Sequence, residues 1–121
     1  MHIPIFDEKD HIDEKGCLAI YGNSYEFYVS VLETFLKGSR KEIEELKRYK
    51  AEGDKESYRV IVHGLKSSAA SVGSNELAEF TTKWDEMWKS GNHVVVSIYH
   101  EELIEKLSDV IELISDRLSR D

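Results

Sequence analysis

One histidine of this chain, His63, occupies a position from which its side chain can do chemistry on another molecule. At about 100° per residue in a helix, His63 lies roughly 160° away from both Ile61 and Leu65. Those two residues belong to a predicted apolar stripe that comprises Ile61, Leu65, Ala69 and Val72. Arg59 and Lys66 lie one helical turn from the histidine. The spacing therefore predicts an exposed imidazole with cationic side chains beside it.

Small side chains surround His63 on the same predicted face. Gly64, Ser67, Ala70 and Ser71 follow the histidine at spacings that keep them near it on the helix surface. Such a surface lets another protein approach the imidazole closely, so we expect these residues, together with Arg59, to bind a partner. The alternative is that the small residues only allow close packing between helices.

The histidine has no second catalytic group in a suitable arrangement. Ser67 and Ser68 lie on the same predicted helix as His63, and no nucleophile elbow is present, so a hydrolytic triad is not indicated. The other histidines are scattered and lack the i,i+4 spacing of a metal-binding pair: His2, His11, His93 and His100. We therefore expect neither hydrolysis nor a metal or cofactor of the chain's own.

Phosphoryl transfer needs only an exposed nucleophile and nearby positive charge. A neutral imidazole nitrogen can hold a phosphoryl group covalently and pass it on. The transfer depends mainly on positioning and electrostatics, so magnesium and carboxylates can come from a partner. The sequence predicts His63 as the phosphoacceptor, with Lys66 neutralising the phosphoryl oxygens and Gly64 and Ser67 leaving clearance.

The residues around His63 resemble the histidine-containing phosphotransfer (HPt) domains of two-component phosphorelays. The family pattern is His, any residue, Leu, Lys, a Gly or Ser, small residues, and a Gly ten positions after the His. This chain reads His63-Gly-Leu-Lys66-Ser-Ser-Ala69 and then Gly73, so every key position is filled. By comparison of predicted elements, the resemblance extends over roughly residues 12–118.

The resemblance implies a four-helix bundle in which His63 accepts a phosphoryl group from the aspartyl phosphate of a receiver domain and donates it to another receiver. It implies a phosphocarrier rather than an enzyme. The implied partners are response-regulator receiver domains and a hybrid sensor histidine kinase, with magnesium on the receiver.

The chain departs from the family at one position. Family members commonly place a glutamine on the following helix, hydrogen-bonded to the histidine ring, and Asp85 occupies the corresponding position here. A carboxylate could orient the ring, but it would favour imidazolium and add negative charge near the phosphoryl group. The alternative is an outward, solvated Asp85 without a role in the site.

Two other functions stay open at this point. The chain could bind a receiver or a kinase as an interaction domain that carries no phosphate. It could also be the acceptor domain of a chemotaxis-type histidine kinase, which is phosphorylated from ATP through a separate catalytic domain. Replacing His63 with Gln distinguishes the interaction domain from the relay protein. Incubating the chain with a kinase and ATP tests whether it is the acceptor domain of a chemotaxis-type kinase.

The first helices are predicted from periodicity and capping signals. A short helix is predicted over residues 13–21. Asn23 opens a capping box for a second helix, which extends to about residue 37. Gly38 interrupts that pattern and Ser39 opens another capping box, so the helix either continues or restarts there.

The second half of the chain also shows helical spacing. Ser74 or Asn75 is expected to cap a helix that extends to about residue 89. The β-branched residues 94–96 could form a strand, but no partner strand is visible. A sustained stripe follows them and favours one long final helix: Leu103, Leu107, Val110, Ile114 and Leu118.

Short turns join these helices. Gly53 and Asp54 predict a stop and a new start before the helix of the histidine, and Gly73 predicts its end. Four substantial helices, each with one apolar stripe, predict an all-α fold, an antiparallel up-and-down four-helix bundle with an additional short N-terminal helix. We assign this domain to residues 12–119, and residues 1–11 to an N-terminal extension.

Composition restricts the class of protein. The chain has 121 residues, 40% of them hydrophobic and 33% charged, as in one globular domain. Its net charge of −8 disfavours nucleic acid and anionic membrane surfaces, and no apolar run is long enough to cross a bilayer. The lone Cys17 and a start without signal-peptide features indicate a cytoplasmic protein, which we expect to be monomeric.

Overall fold

The computed structural model describes residues 3–120, so His2, one of the scattered histidines, lies outside the described residues. Within residues 3–120 the regular structure is helical and no strand is present, which confirms the all-α prediction. A 3-10 turn at Glu8–Asp10 precedes α1 (Glu14–Ile20), α2 (Tyr25–Glu52), α3 (Lys55–Val72), α4 (Asn75–Lys89), α5 (Val95–Ile98) and α6 (His100–Leu118).

Helix α2 is continuous, with Gly38 and Ser39 in its interior. Of the two possibilities left open at Ser39, the structure shows continuation, because the buried stripe runs through this point: Phe35, Leu36, Ser39 and Leu46 are all buried. An interior glycine costs about 1 kcal/mol relative to alanine, and the burial of these side chains outweighs that cost. The N-cap differs from the prediction, since the side chain of Ser24, not that of Asn23, accepts a hydrogen bond from the Phe27 amide at 3.1 Å.

Helix α3 begins and ends where the sequence predicts. The Asp54 side chain accepts a hydrogen bond from the Ser57 amide at 3.1 Å, which caps the start. Gly73 ends the helix with φ of 90°, a left-handed conformation that favours glycine. A Cβ atom at Gly73 would lie 3.0 Å from the backbone N and O of Asp13, so the position also lacks room for a side chain.

The C-terminal part contains two helices where one was predicted. Residues 95 and 96 are helical, as expected, but α5 ends at Ile98 and α6 starts at His100 after a break at Tyr99. Consecutive β-branched residues lower local helix propensity, and both Val95 and Val96 are buried in the core. Helix α6 then follows the predicted stripe, although Val110 and Leu118 are only partly buried.

The core lies among α2, α3, α4 and α6. Helix α3 packs against α2 and α4, while α6 packs against α2 and α4. The largest fully buried side chains of this core are Trp84, Tyr28, Tyr58, Leu32, Leu46, Leu65, Leu77, Leu103, Leu107, Ile114, Val62 and Val72. On α3, Leu65, Ala69 and Val72 are fully buried as predicted, whereas Val62 takes the place of Ile61, which is only partly buried.

The segment before α1 packs against the helices. Phe6 is buried, and the amides of Ile5 and Phe6 donate hydrogen bonds to the Glu14 carboxylate at 3.1 Å and 2.8 Å. The guanidinium of Arg117 on α6 contacts the Asp10 carboxylate at 2.8 Å.

No helix within residues 3–120 is long and apolar enough to span a membrane.

Candidate functional site

His63 lies on the outer side of α3, and half of its side chain (50%) is exposed. Its Nδ1 atom lies 3.0 Å from Oδ2 of Asp85 on α4. Because an ionised carboxylate only accepts hydrogen bonds, Nδ1 carries the proton in this pair. The lone pair of the neutral ring is then on Nε2, which makes Nε2 the nucleophilic nitrogen.

Asp85 is almost fully buried (1% exposed) and is surrounded by cations. The Nζ atoms of Lys66 and Lys89 lie 2.8 Å and 3.3 Å from its Oδ2 atom. Nε of Arg59 lies 3.5 Å from its Oδ1 atom. Burial alone would raise the pKa of Asp85, but hydrogen bonds from Lys66, His63 and Lys89 outweigh it and hold that pKa well below its usual range. The group is therefore a carboxylate at neutral pH.

The aromatic core fixes the direction in which Asp85 points. Trp84, the preceding residue, is fully buried and stacks on Tyr58 of α3, with ring centroids 5.8 Å apart. The hydroxyl of Tyr58 is in turn hydrogen-bonded to Nδ1 of His100 on α6 at 2.9 Å. These contacts set the rotation of α4, so that Asp85 faces the histidine helix.

The structure brings together the three residues to which the sequence analysis assigned chemistry: His63, Lys66 and Asp85. The alternative of a solvated Asp85 is wrong, because α4 buries this side chain against α3. Lys66 lies beside the histidine as predicted, but its ammonium group contacts Asp85. Sequence reasoning missed Lys89, although its i,i+4 spacing from Asp85 was a usable signal.

The small residues near His63 form an open surface. Gly64, Ser67 and Ala70 are exposed, and Ser71 is half-buried. A Cβ atom added at Gly64 would contact nothing within 4 Å, so no neighbour in this chain requires glycine there. We conclude that packing within the chain does not explain the small side chain at Gly64.

A shallow groove of ≈ 420 Å³ lies beside this surface, between α2 and α3. Its walls include Ser68 and Ser71 of α3 and Phe27 and Thr34 of α2. Phe27 is 52% exposed, and its ring packs edge-to-face on Tyr21 with the ring centroids 5.1 Å apart. Phe27 could not be identified from the sequence, because single exposed apolar residues carry no sequence signal.

A family model for the Hpt domain matches residues 30–117, which include the whole of α3 and α4. The chain belongs to the Hpt domain family. This Hpt domain is a histidine phosphotransfer protein of a phosphorelay, a phosphocarrier of a family that works with receiver domains.

The Hpt domain is also similar to a solved structure, histidine-containing phosphotransfer protein B (HptB) from Pseudomonas aeruginosa PAO1. The two share 20% sequence identity with a TM-score of 0.74, and the alignment covers 92% of this chain and 97% of that chain. At this identity the likeness shows a shared fold. The comparison of this chain with curated proteins found no match.

Proposed function

We propose that His63 is the phosphoacceptor of this Hpt domain and that Nε2 carries the phosphoryl group. The observation that carries the proposal is the hydrogen bond from Nδ1 to Asp85, combined with a half-exposed ring. The bond fixes the tautomer in which Nε2 is nucleophilic. Exposure allows the phosphorylated residue of a partner to reach it.

The transfer step requires few groups from this chain. The Nε2 lone pair attacks phosphorus, the bond to the receiver aspartate breaks, and the aspartate leaves as a carboxylate with the electron pair. Donation to a second receiver is the same step in reverse. Magnesium belongs to the receiver, so the chain needs no cofactor of its own.

Lys66 neutralises the phosphoryl oxygens in this proposal. Its Nζ atom lies on Asp85 in the unphosphorylated protein, and its side chain is 25% exposed. A phosphoryl group on the neighbouring histidine carries more negative charge than one carboxylate. The flexible ammonium group can therefore exchange its contact with Asp85 for one with the phosphoryl oxygens.

We place the docking surface for receiver domains around the histidine, on Arg59, Gly64, Ser67, Ala70 and Ser71. Support comes from the open space at Gly64 and from the adjoining groove with its exposed Phe27. A relay component must release one partner before it meets the next. We therefore expect the complex to bury a small total surface area, below about 1,200 Å², as transient complexes do.

The finer architecture in this proposal is an antiparallel up-and-down bundle of α2, α3, α4 and α6. Support comes from the short connections between α2, α3 and α4, and from the closed ring of contacts in which α6 packs on both α2 and α4. A hybrid sensor histidine kinase is the proposed source of phosphoryl groups. We propose a cytoplasmic monomer, consistent with a net charge of −8 and a single buried cysteine.

The proposal is tested by incubating the protein with a receiver domain that carries labelled aspartyl phosphate. We expect label that is acid-labile and base-stable on the wild-type protein and none on the His63→Gln variant, which should still bind the receiver. Unchanged signalling by that variant would instead support a purely binding function. Label that arrives only from kinase and ATP would support a chemotaxis-type acceptor domain.

A further inference from the structure

We propose that the charge of Asp85 determines how readily the phosphoryl group leaves His63, by keeping a proton on Nδ1 after phosphorylation. The inference rests on the proposed function, because it concerns the phosphorylated form of the histidine. It goes beyond orientation of the ring, which a neutral hydrogen-bond acceptor at this position would also achieve.

The position of Asp85 suits this role. Its Oδ2 atom lies 3.0 Å from Nδ1, and with 1% of the side chain exposed, water cannot easily take its place. Lys66 and Lys89 hold the same oxygen at 2.8 Å and 3.3 Å. The carboxylate is therefore fixed in position before any phosphoryl group arrives.

The chemistry of the leaving group explains why the proton matters. In the phosphorylated ring, Nε2 is bonded to phosphorus, and the ring is cationic as long as Nδ1 keeps its proton. When a receiver carboxylate oxygen attacks phosphorus, the N–P bond breaks and its electron pair returns to Nε2. With the proton in place, neutral imidazole leaves. Without it, the leaving group is an imidazolate anion, which is far less stable in water.

The charges around the ring act in opposite directions. Arg59 and Lys66 on α3 and Lys89 on α4 favour loss of the Nδ1 proton, whereas Asp85 favours its retention. Asp85 makes the direct hydrogen bond to Nδ1, so its effect is the largest. The side chains of Lys66 and Lys89 are 25% and 57% exposed and can turn toward a phosphoryl group. Their departure leaves the carboxylate less neutralised and strengthens its hold on the proton.

The most direct test measures the protonation state of Nδ1. The wild-type protein, labelled with ¹⁵N in its histidines, is loaded with phosphoramidate, so that loading does not depend on the natural donor. We expect the ¹⁵N shifts of phosphorylated His63 to show a protonated Nδ1 at pH 7–8. A deprotonated Nδ1 there would overturn the inference, and this measurement requires no variant to fold.

The second test removes the charge but keeps the shape. In Asp85→Asn the side-chain oxygen can still accept the hydrogen bond from Nδ1, but the negative charge is lost. An opposite charge this close changes the pKa of a neighbouring group by about 1–3. We expect transfer from the phosphorylated variant to a receiver domain to decline at a pH about 1–2 units lower than in the wild type. At pH 8 the variant should transfer about tenfold more slowly, and its phosphohistidine should hydrolyse more slowly.

Two controls separate this effect from general damage. Glu86→Gln makes the same charge change at the neighbouring, exposed position of α4 and should leave the pH profile unchanged. Asp85→Glu keeps a carboxylate and should restore part of the high-pH transfer that Asp85→Asn loses. Identical pH profiles for wild type and Asp85→Asn would overturn the inference and leave the proposed function intact. Failure of a phosphorylated receiver to label wild-type His63 would overturn the proposed function itself.

Discussion

Lys66 and Asp85 connect α3 to α4 through a contact of 2.8 Å between Nζ and Oδ2. The lysine therefore already has an anionic partner before phosphorylation, and it must exchange that partner for the phosphoryl group. Arg59, Lys66 and Lys89 together bring three positive charges to one carboxylate, so the site has a positive excess that favours a phosphoryl group. The exchange also means that Lys66 affects both the free and the phosphorylated protein.

Replacing Lys66 with Met should slow phosphoryl transfer to His63 by about 10- to 100-fold, because a charge-assisted contact worth about 1.5–3 kcal/mol is lost. Single-turnover transfer from a phosphorylated receiver measures the rate. Lys83→Met is the matched control, since Lys83 lies on α4 with 69% of its side chain exposed and pairs only with Glu79 among the described residues. Equal rates for the two variants would contradict the role of Lys66.

Gly64→Ala separates stability from partner binding. Alanine at this helical position should raise the free energy of unfolding by about 0.5–1 kcal/mol, because a Cβ atom meets nothing in the chain. The larger Gly64→Gln substitution should weaken receiver binding, since its side chain fills the space above the helix. Denaturant unfolding and titration with a receiver domain measure the two effects. Unchanged receiver affinity in Gly64→Gln would exclude Gly64 from the docking surface.

Gly73→Ala should destabilise the protein by about 2–3 kcal/mol, because the left-handed backbone and the Asp13 backbone both oppose a side chain. Gly53→Ala is the control, as its φ is 73° and a Cβ atom there contacts nothing within 4 Å. The free energy of unfolding of that variant should fall by only about 1 kcal/mol, the cost of a left-handed backbone at alanine. Equal losses measured by denaturant unfolding would show that the approach to Asp13 contributes nothing.

Stability should depend on pH through His100. Burial, supported by Lys50, lowers the pKa of His100 below its ordinary value of 6.5. The ring is therefore neutral at pH 7.5, where its Nδ1 atom shares a hydrogen bond with the Tyr58 hydroxyl at 2.9 Å. Between the lowered pKa and 6.5 the unfolded chain binds more protons than the folded chain. The free energy of unfolding should therefore fall as the pH drops from 7.5 through this window.

The His100→Gln variant provides the comparison for this effect. Its unfolding free energy should change less than that of the wild type between pH 7.5 and 5.5, a range above the titration of most carboxyl groups. Denaturant titrations at several pH values give both curves. Parallel curves would show that His100 does not sense pH in the folded protein.

The fold could be predicted from sequence wherever the signals were local. Asp54 and Gly73 bound α3 through interactions within a few residues of each end, and both were found. Gly38 and Ser39 left continuation of α2 undecided, because burial along the whole helix outweighs a local break signal and local signals do not show that burial. The break at Tyr99 depends on how Val95 and Val96 enter the core, which local spacing does not show.

The candidate site was predictable only in part for the same reason. Periodicity on one helix was sufficient to indicate that His63 is exposed and that Lys66 lies beside it. The burial of Asp85 depends on the rotation of α4 against α3, which the stacking of Trp84 on Tyr58 sets. The spacing of Asp85 after Leu77 and Thr81 places it on the buried side of α4, but no pattern along one helix shows which residue of α3 it contacts.

The central claim is that Nε2 of His63 receives the phosphoryl group while Asp85 holds Nδ1. The most direct measurement is an NMR spectrum of ¹⁵N-histidine-labelled protein after transfer from a phosphorylated receiver, in which ³¹P–¹⁵N coupling identifies the bonded nitrogen. The account predicts coupling to Nε2 of His63 alone. Coupling to Nδ1, or phosphorylation of another histidine with His63 unmodified, would contradict it.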